Sequence, residues 1–308
     1  MAPEPSVVRV PGPWTHRSLS ANGIRLHVVE AGEGPLVVLL HGFPEFWWSW
    51  RHQLRALAEA GYRAVAVDLR GYGDSDKPPR GYDLWTLAGD VDGLIRSLGE
   101  PRAHVVGHDW GGAIAWTLAA LHPRRLTTLT TIGIAHPLAF RAAVAREPFG
   151  QGRASASYMA GFQLPRRPER SLRRDDGARV ERIMRAWSGQ EWTDTADFAE
   201  AARRNREAMR ISTVAHCCLE YYRWMARSQL RAEGRRFAAA VSRPAEVPVL
   251  QLHGSADPCV LETTARRSER WTTGPFAHRV LDTGHFVHQE RPAETTDLIL
   301  SHLRGRVR

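Results

Sequence analysis

Ala103-His-Val-Val-Gly107-His108-Asp109-Trp110-Gly111-Gly112-Ala-Ile-Ala-Trp-Thr-Leu-Ala-Ala-Leu121 joins two apolar runs through a turn with an aspartate at its apex. Ala103 to Val106 is short and reads as a buried strand. Ala113 to Leu121 is longer and reads as a buried helix that ends before Pro123. Glycines flank Asp109 on both sides, and glycine tolerates backbone angles that strain other residues. The unit is therefore strand, sharp turn, helix, with a carboxylate at the tip. A serine so placed would suit attack on an ester or amide carbonyl. A carboxylate suits attack on an sp3 carbon, which leaves an alkyl ester for water to hydrolyse.

Outward from this unit, short apolar strands alternate with helical patterns. Candidate strands are Ile24–Glu30, Leu36–Leu40 and Ala64–Val67, with helix-like segments at Trp50–Ala60 and Leu84–Leu98 between them. Thr127–Ile134 continues the theme as a β-branched run. It resumes with strand Val247–Leu252, helix Thr263–Trp271, strand His278–Leu281 and a last helix from Pro292 to about Leu303. Such alternation predicts an α/β fold with a mostly parallel central sheet and helices on both faces. The middle breaks the pattern. It is arginine-rich, and helical periodicity recurs at Ala178–Ser188, Ala196–Met209 and Val214–Arg227. The expectation is a core over 1–137 and 243–308, interrupted by a helical lid over 138–242.

The chain has 308 residues, 43% of them hydrophobic, which suits one large core with a smaller subdomain. No stretch approaches the roughly 20 apolar residues of a membrane span. Its start lacks the basic-then-apolar order of a secretory signal, so the expected location is cytoplasmic. The three cysteines, Cys217, Cys218 and Cys259, form neither a disulfide framework nor a zinc spacing. Net charge is +9, and all but one of the 42 cationic residues are arginine, Lys77 being the exception. No nucleic-acid module accompanies that charge, so it reads as arginine replacing lysine on a solvated surface, and no nucleic-acid partner is expected. The densest run, Arg166 to Arg185, is interleaved with acids as a solvated helical face is. A homodimer stays open at this stage.

The spacing Gly107-x-Asp109-x-Gly111 is that of the nucleophile elbow of α/β-hydrolases, whose order along the chain is nucleophile, acid, histidine. His285, after the last predicted strand, is the candidate base, with His288 its local rival. Asp257, in the turn after strand Val247–Leu252, is the candidate acid that orients it, and Asp282 is the alternative. His108 and His41 read as scaffold groups. So does the Asp68-Leu-Arg-Gly-Tyr-Gly-Asp-Ser75 loop, since no lysine-bearing helix follows in phosphate-loop spacing. The fold supplies two oxyanion donors, one N–H from the loop His41-Gly-Phe-Pro44 and one from the residue after the nucleophile. That points to the backbones of Phe43 and Trp110.

His41-Gly-Phe-Pro-Glu-Phe-Trp-Trp-Ser-Trp-Arg-His52, Asp68 to Ser75 and Gly107 to Gly112 resemble the epoxide hydrolases of the α/β-hydrolase superfamily, and with Asp257, His285 and a helical middle the resemblance spans almost the full length. The resemblance implies a cis peptide bond before Pro44. It also implies two lid tyrosines that hold the epoxide oxygen. Tyr158 matches the first, a few residues before Phe162-Gln163. Tyr222 matches the second in its Tyr-Arg context, with Tyr221 a competitor. The implied reaction takes a lipophilic epoxide and water to a vicinal diol without metal or organic cofactor. Trp47, Trp48, Trp50 and Trp110 suggest an aromatic-walled pocket. A haloalkane dehalogenase is the alternative, but its second halide donor, often an asparagine after the His-Gly pair, is Phe43 here. A fluoroacetate-type dehalogenase would want an arginine where Trp110 stands, and no Gly-x-Ser-x-Gly occurs for a serine esterase. A purely binding role would leave Asp109, Asp257 and His285 unexplained.

Overall fold

The alternating runs lie side by side in one sheet. A computed structural model describes residues 2–306. Its strands are β1 (Thr15–Ala21), β2 (Ile24–Ala31), β3 (Leu36–Leu40), β4 (Arg63–Val67), β5 (Ala103–His108), β6 (Leu126–Ile132), β7 (Val249–Gly254) and β8 (Phe276–Leu281). Their order is β1-β2-β4-β3-β5-β6-β7-β8. β1–β2 and β2–β4 pair antiparallel, and every other pair is parallel. Strands β3, β5 and β7 are buried along their whole length. Parallel strands apolar on both faces require cover on both faces, and the intervening helices provide it.

Strand β1 is the one strand absent from the periodic reading. It is a polar edge strand, mostly exposed. It turns into β2 through Asn22-Gly23, both at positive φ (48° and 78°). That Asn-Gly turn is the hairpin signal available in the sequence; alternation alone misses a strand with no apolar face.

The site is positioned by strand order. From β3 the chain steps to β4 on one side, then crosses to β5 on the other. The connections run in opposite directions at this point, and such switch points open a crevice at the carboxyl ends of the strands. The loop after β3 and the turn after β5 meet there. Leu40 is in register with Gly107, and His108 with Ile132.

The elbow is tight because its glycines are. A Cβ on Gly111 would stand 2.2 Å from the Leu40 carbonyl oxygen, and one on Gly107 2.3 Å from the Gly111 carbonyl oxygen. The helix that follows, Trp110–Leu121, is buried almost all round. It runs beneath the sheet's centre, so its sequence is apolar on every face rather than on one stripe.

Between β6 and β7 the described residues form helices and turns and no named strand. The longest helices are Pro137–Arg146, Arg153–Phe162, Ala178–Trp187, Ala196–Arg210 and Val214–Ser228. The first two, with Ala232–Ala240, carry weak periodicity and lie outside the segments expected from sequence, whereas Arg167–Arg173 falls in the run read as a solvated helical face. Arg223 ties two of them together, its guanidinium donating to the carbonyls of Phe162 (3.1 Å) and Leu164 (2.9 Å). No helix among the described residues is long and apolar enough to cross a membrane.

Gly111→Ala is expected to destabilise the protein by about 1–3 kcal/mol, since the methyl must displace backbone. Gly161 sits on a lid helix with nothing within 4 Å of its Cβ position. Gly161→Ala should be neutral or stabilising by up to about 1 kcal/mol. Urea midpoints at unchanged slope check both.

Candidate active site

Asp109 lies at φ 48° and ψ −116°. A non-glycine residue in so sparse a region costs on the order of 1–3 kcal/mol and persists where its surroundings over-determine it. Here its N–H donates to the Ile132 carbonyl at 3.0 Å, and its carbonyl accepts from the Ala113 N–H at 3.0 Å. The carboxylate turns toward the loop after β3. The Phe43 N–H donates to its Oδ1 at 2.9 Å. A Cβ on Gly42 would lie 2.5 Å from the Asp109 Cβ, so the loop can come this close only with glycine there. The Phe43–Pro44 peptide bond is cis, as the resemblance implies. Trp110 begins the helix, and its amide is the next backbone donor along the chain from Asp109.

His285 follows β8 and is fully buried. Its Nδ1 donates to Asp257 Oδ2 at 2.8 Å. Its Nε2 faces Asp109 Oδ2 at 3.7 Å, a charge contact rather than a hydrogen bond. Asp257 is held in turn by the N–H groups of Cys259 (2.7 Å) and Val260 (3.1 Å) on its Oδ1. Burial alone would raise the Asp257 pKa, but the His285 charge and hydrogen bond, with His253 and the Val260 amide, hold it below the usual carboxylate range. Burial alone would lower that of His285, but Asp257 and Asp109 push it up to about 10.

The rival assignments separate cleanly. Asp282 is exposed and accepts from the Ser255 hydroxyl at 3.1 Å. His288 is buried over Trp50, ring centroids 4.3 Å apart, and burial lowers its pKa well below the ordinary value. Tyr221 donates its hydroxyl to the Arg70 carbonyl at 2.7 Å, which commits it to the scaffold. Tyr222, one position on, faces the cavity together with Asp109 and Tyr158. Adjacent helical residues point about 100° apart, which explains the different fates of two neighbouring tyrosines.

The cavity holds about 620 Å³. Its walls are mostly apolar, with Leu138, Val144, Met159, Met225 and Phe237 among them. Burial raises the Tyr158 and Tyr222 hydroxyls well above the ordinary phenol range, and the Asp109 charge adds to this. Both therefore remain proton donors at neutral pH. The two rings lie 6.2 Å apart at 81°. One expectation needs correcting. Of the four tryptophans, only Trp110 lines the cavity. Trp47 and Trp50 are core, and Trp48 packs edge-on against Trp14 and Trp47, because the segment after Pro44 turns away beneath the loop.

Three supporting groups carried no signal of their own in the sequence. Glu45 accepts from the Gly42 N–H (3.2 Å) and from Gln289 (2.6 Å) and pairs with His108 Nδ1 (2.8 Å). His108 Nε2 donates to the His285 carbonyl at 3.0 Å, so this buried chain joins the Phe43 loop to the His285 loop. Trp187 packs against both Tyr158 (5.2 Å) and His285 (5.6 Å), and its carbonyl accepts from the His285 N–H at 2.7 Å. Glu290 accepts from the N–H groups of Gly284 (2.8 Å), Phe286 (3.0 Å) and Gly189 (2.8 Å). Two of the Glu45 partners, His108 and Gln289, lie more than 60 residues away in the chain, which no local pattern shows.

Residues 35–292 match the family model described as alpha/beta hydrolase fold. The chain is 32% identical to epoxide hydrolase A of Mycobacterium tuberculosis, covering 96% of this chain and 98% of that one. The chain belongs to the epoxide hydrolases of the α/β-hydrolase fold. It is also 36% identical to the AB hydrolase superfamily protein YfhM of Bacillus subtilis, over 93% of this chain and 97% of that one. Among solved structures, epoxide hydrolase A from Mycobacterium thermoresistibile superposes with a TM-score of 0.75 at 33% identity, over 95% of this chain and 98% of that one.

The charge on His285 has a sign that can be measured. Its folded pKa of about 10 exceeds the unfolded value of about 6.5. The pairing therefore stabilises the epoxide hydrolase fully below about pH 6.5, and that contribution is lost as pH rises through about 10. Nitrogen-15 NMR should show an imidazolium at pH 8, titrating near 10. Asp257→Asn should shift that titration to lower pH; an unmoved titration would show that the raised value comes from elsewhere.

Proposed function

We propose that this chain hydrolyses a lipophilic epoxide to a vicinal diol through an ester on Asp109. The observation that carries this reading is one apolar cavity lined by a carboxylate and by two phenols that stay protonated. Residues 138–242 act in it as a lid that brings the phenols over the core. Asp109 attacks an epoxide carbon in line with the C–O bond. The bond breaks, and the developing alkoxide takes a proton from Tyr158 or Tyr222 while hydrogen-bonded to the other. The product is a hydroxyalkyl ester on Asp109.

Ester formation removes the Asp109 charge. That charge is one of the causes of the raised His285 pKa, so the pKa falls as the ester forms. The imidazolium now gives its proton more readily, to the tyrosinate that ring opening left, and the neutral imidazole, oriented by Asp257, is available as a base. It takes a proton from water as the water oxygen attacks the ester carbonyl. The oxyanion is stabilised by the Phe43 N–H, already 2.9 Å from Oδ1, and by that of Trp110. Collapse of the tetrahedral intermediate releases the diol and restores Asp109. No step calls for a metal or organic cofactor, and the expected location is the cytoplasm.

One observation favours a second reading, haloalkane dehalogenation. The Trp110 indole N–H is buried without a hydrogen-bond partner among the described residues, and it lines the cavity. A halide site usually takes two donors, and Phe43 offers no side-chain donor beside it. Dehalogenation also leaves the tyrosine pair without a task.

Aryl and alkyl epoxides run beside haloalkanes test the choice. Diol without halide is expected from the wild-type protein, and none from Asp109→Ala. Tyr158→Phe and Tyr222→Phe should each lower kcat about 10²- to 10⁴-fold, the usual range for a lost acid catalyst. His285→Gln should stop after the first half-reaction, with a mass increase on the Asp109 peptide equal to that of the epoxide. Halide release without diol would move the chain to the dehalogenases.

A further inference from the structure

Two charged side chains line the cavity, Asp109 and Arg141. Arg141 belongs to the helix Pro137–Arg146, and the reaction above gives it no role. Alone among the arginines of the described residues between β6 and β7, it lines this cavity. Arg204, Arg206 and Arg223 are each held by a glutamate, at 2.6 Å, 3.0 Å and 2.8 Å. The Arg141 guanidinium makes a single long hydrogen bond, 3.4 Å to the Gly234 carbonyl, and among the described residues no carboxylate lies within ion-pair distance. Gly234 lines the same cavity. A guanidinium offers five N–H donors in a fixed fork. Arg141 is half-buried, and most of these donors are uncommitted where they meet the cavity.

We propose that Arg141 is a substrate-anchoring residue, and that the favoured substrates are epoxides with a carboxylate at the end of the hydrocarbon remote from the ring. This rests on the reading of Asp109 as the nucleophile of an epoxide hydrolase. A planar carboxylate matches the guanidinium fork in a bidentate pair, among the strongest of polar contacts. The two cavity charges have opposite sign, so they act together on such a molecule. Asp109 repels the carboxylate and Arg141 attracts it, which drives the neutral ring toward Asp109. The rest of the lining is mostly apolar, with Leu138, Val144, Met225 and Phe237, and takes the hydrocarbon. The arginine thereby sets both the choice of substrate and its direction in the cavity.

The test uses one epoxide as a pair of substrates, a long-chain epoxy acid and its methyl ester, with the full-length enzyme. Wild type should favour the acid in kcat/KM. Arg141→Gln should reduce the acid-to-ester ratio of kcat/KM roughly 10- to 100-fold, the range for a lost charged hydrogen bond, mainly through KM. Arg141→Lys should recover part of the ratio, because it keeps the charge without the fork. Turnover of the ester by each variant reports that it is folded. An acid-to-ester ratio unchanged by Arg141→Gln, or a wild-type preference for the ester, would overturn the proposal while leaving the epoxide reading intact. Absence of diol from both substrates with wild type would instead overturn the epoxide reading itself.

Discussion

Everything at this site depends on how closely backbone can approach the Asp109 carboxylate. The aspartate is held at φ 48°, one loop N–H lies 2.9 Å from its Oδ1, and an imidazole lies 3.7 Å from its Oδ2. That approach is possible because Gly42, Gly107 and Gly111 carry no side chain where a Cβ would overlap neighbouring atoms. The strain at Asp109 is small beside what the two flanking elements contribute. Strand β5 is fixed in register between β3 and β6, and helix Trp110–Leu121 is buried against the sheet. A rigid scaffold thus offers a carboxylate to the cavity while both its oxygens stay within reach of positive or partly positive groups.

The same charge governs the base. His285 is buried between two carboxylates, and its high pKa records both. Attack by Asp109 converts one of them to a neutral ester, so the first half-reaction prepares the base for the second. Asp257 is held by two backbone N–H groups and pairs with the imidazole Nδ1. The lid enters this circuit directly. The carbonyl of Trp187 fixes the His285 amide, and the Trp187 ring touches Tyr158. Tyr158 and His285 are therefore registered against each other through one lid residue.

Much of this was legible in the sequence because it is local. The elbow, the loop after β3, the acid after β7 and the histidine after β8 each sit at a strand end, where periodicity and turn residues show themselves. Helix Pro292–Leu303 was readable, with its end at about Leu303, for the same reason, proline at its start and apolar spacing within. What escaped was non-local or lacked a pattern. Strand β1 has no apolar face. The cavity walls come from helices far apart in the chain, so nothing in the sequence separated Trp110, which faces the cavity, from Trp47 and Trp50, which are core. The Tyr-Arg context favoured Tyr222 over Tyr221, and the helix's rotation shows the two pointing to different surroundings. Glu45 and Arg141 were visible as residues, but their importance lies in partners present or missing, and partners are a property of the fold.

The central claim is that Asp109 is a nucleophile and not a base that activates water. The most direct measurement is a single turnover in oxygen-18 water with enzyme in excess over epoxide. Attack by Asp109 predicts that the first diol carries unlabelled oxygen taken from the carboxylate, and that the label appears in the peptide containing Asp109. Label passing straight into the diol, with none in that peptide, would contradict the account.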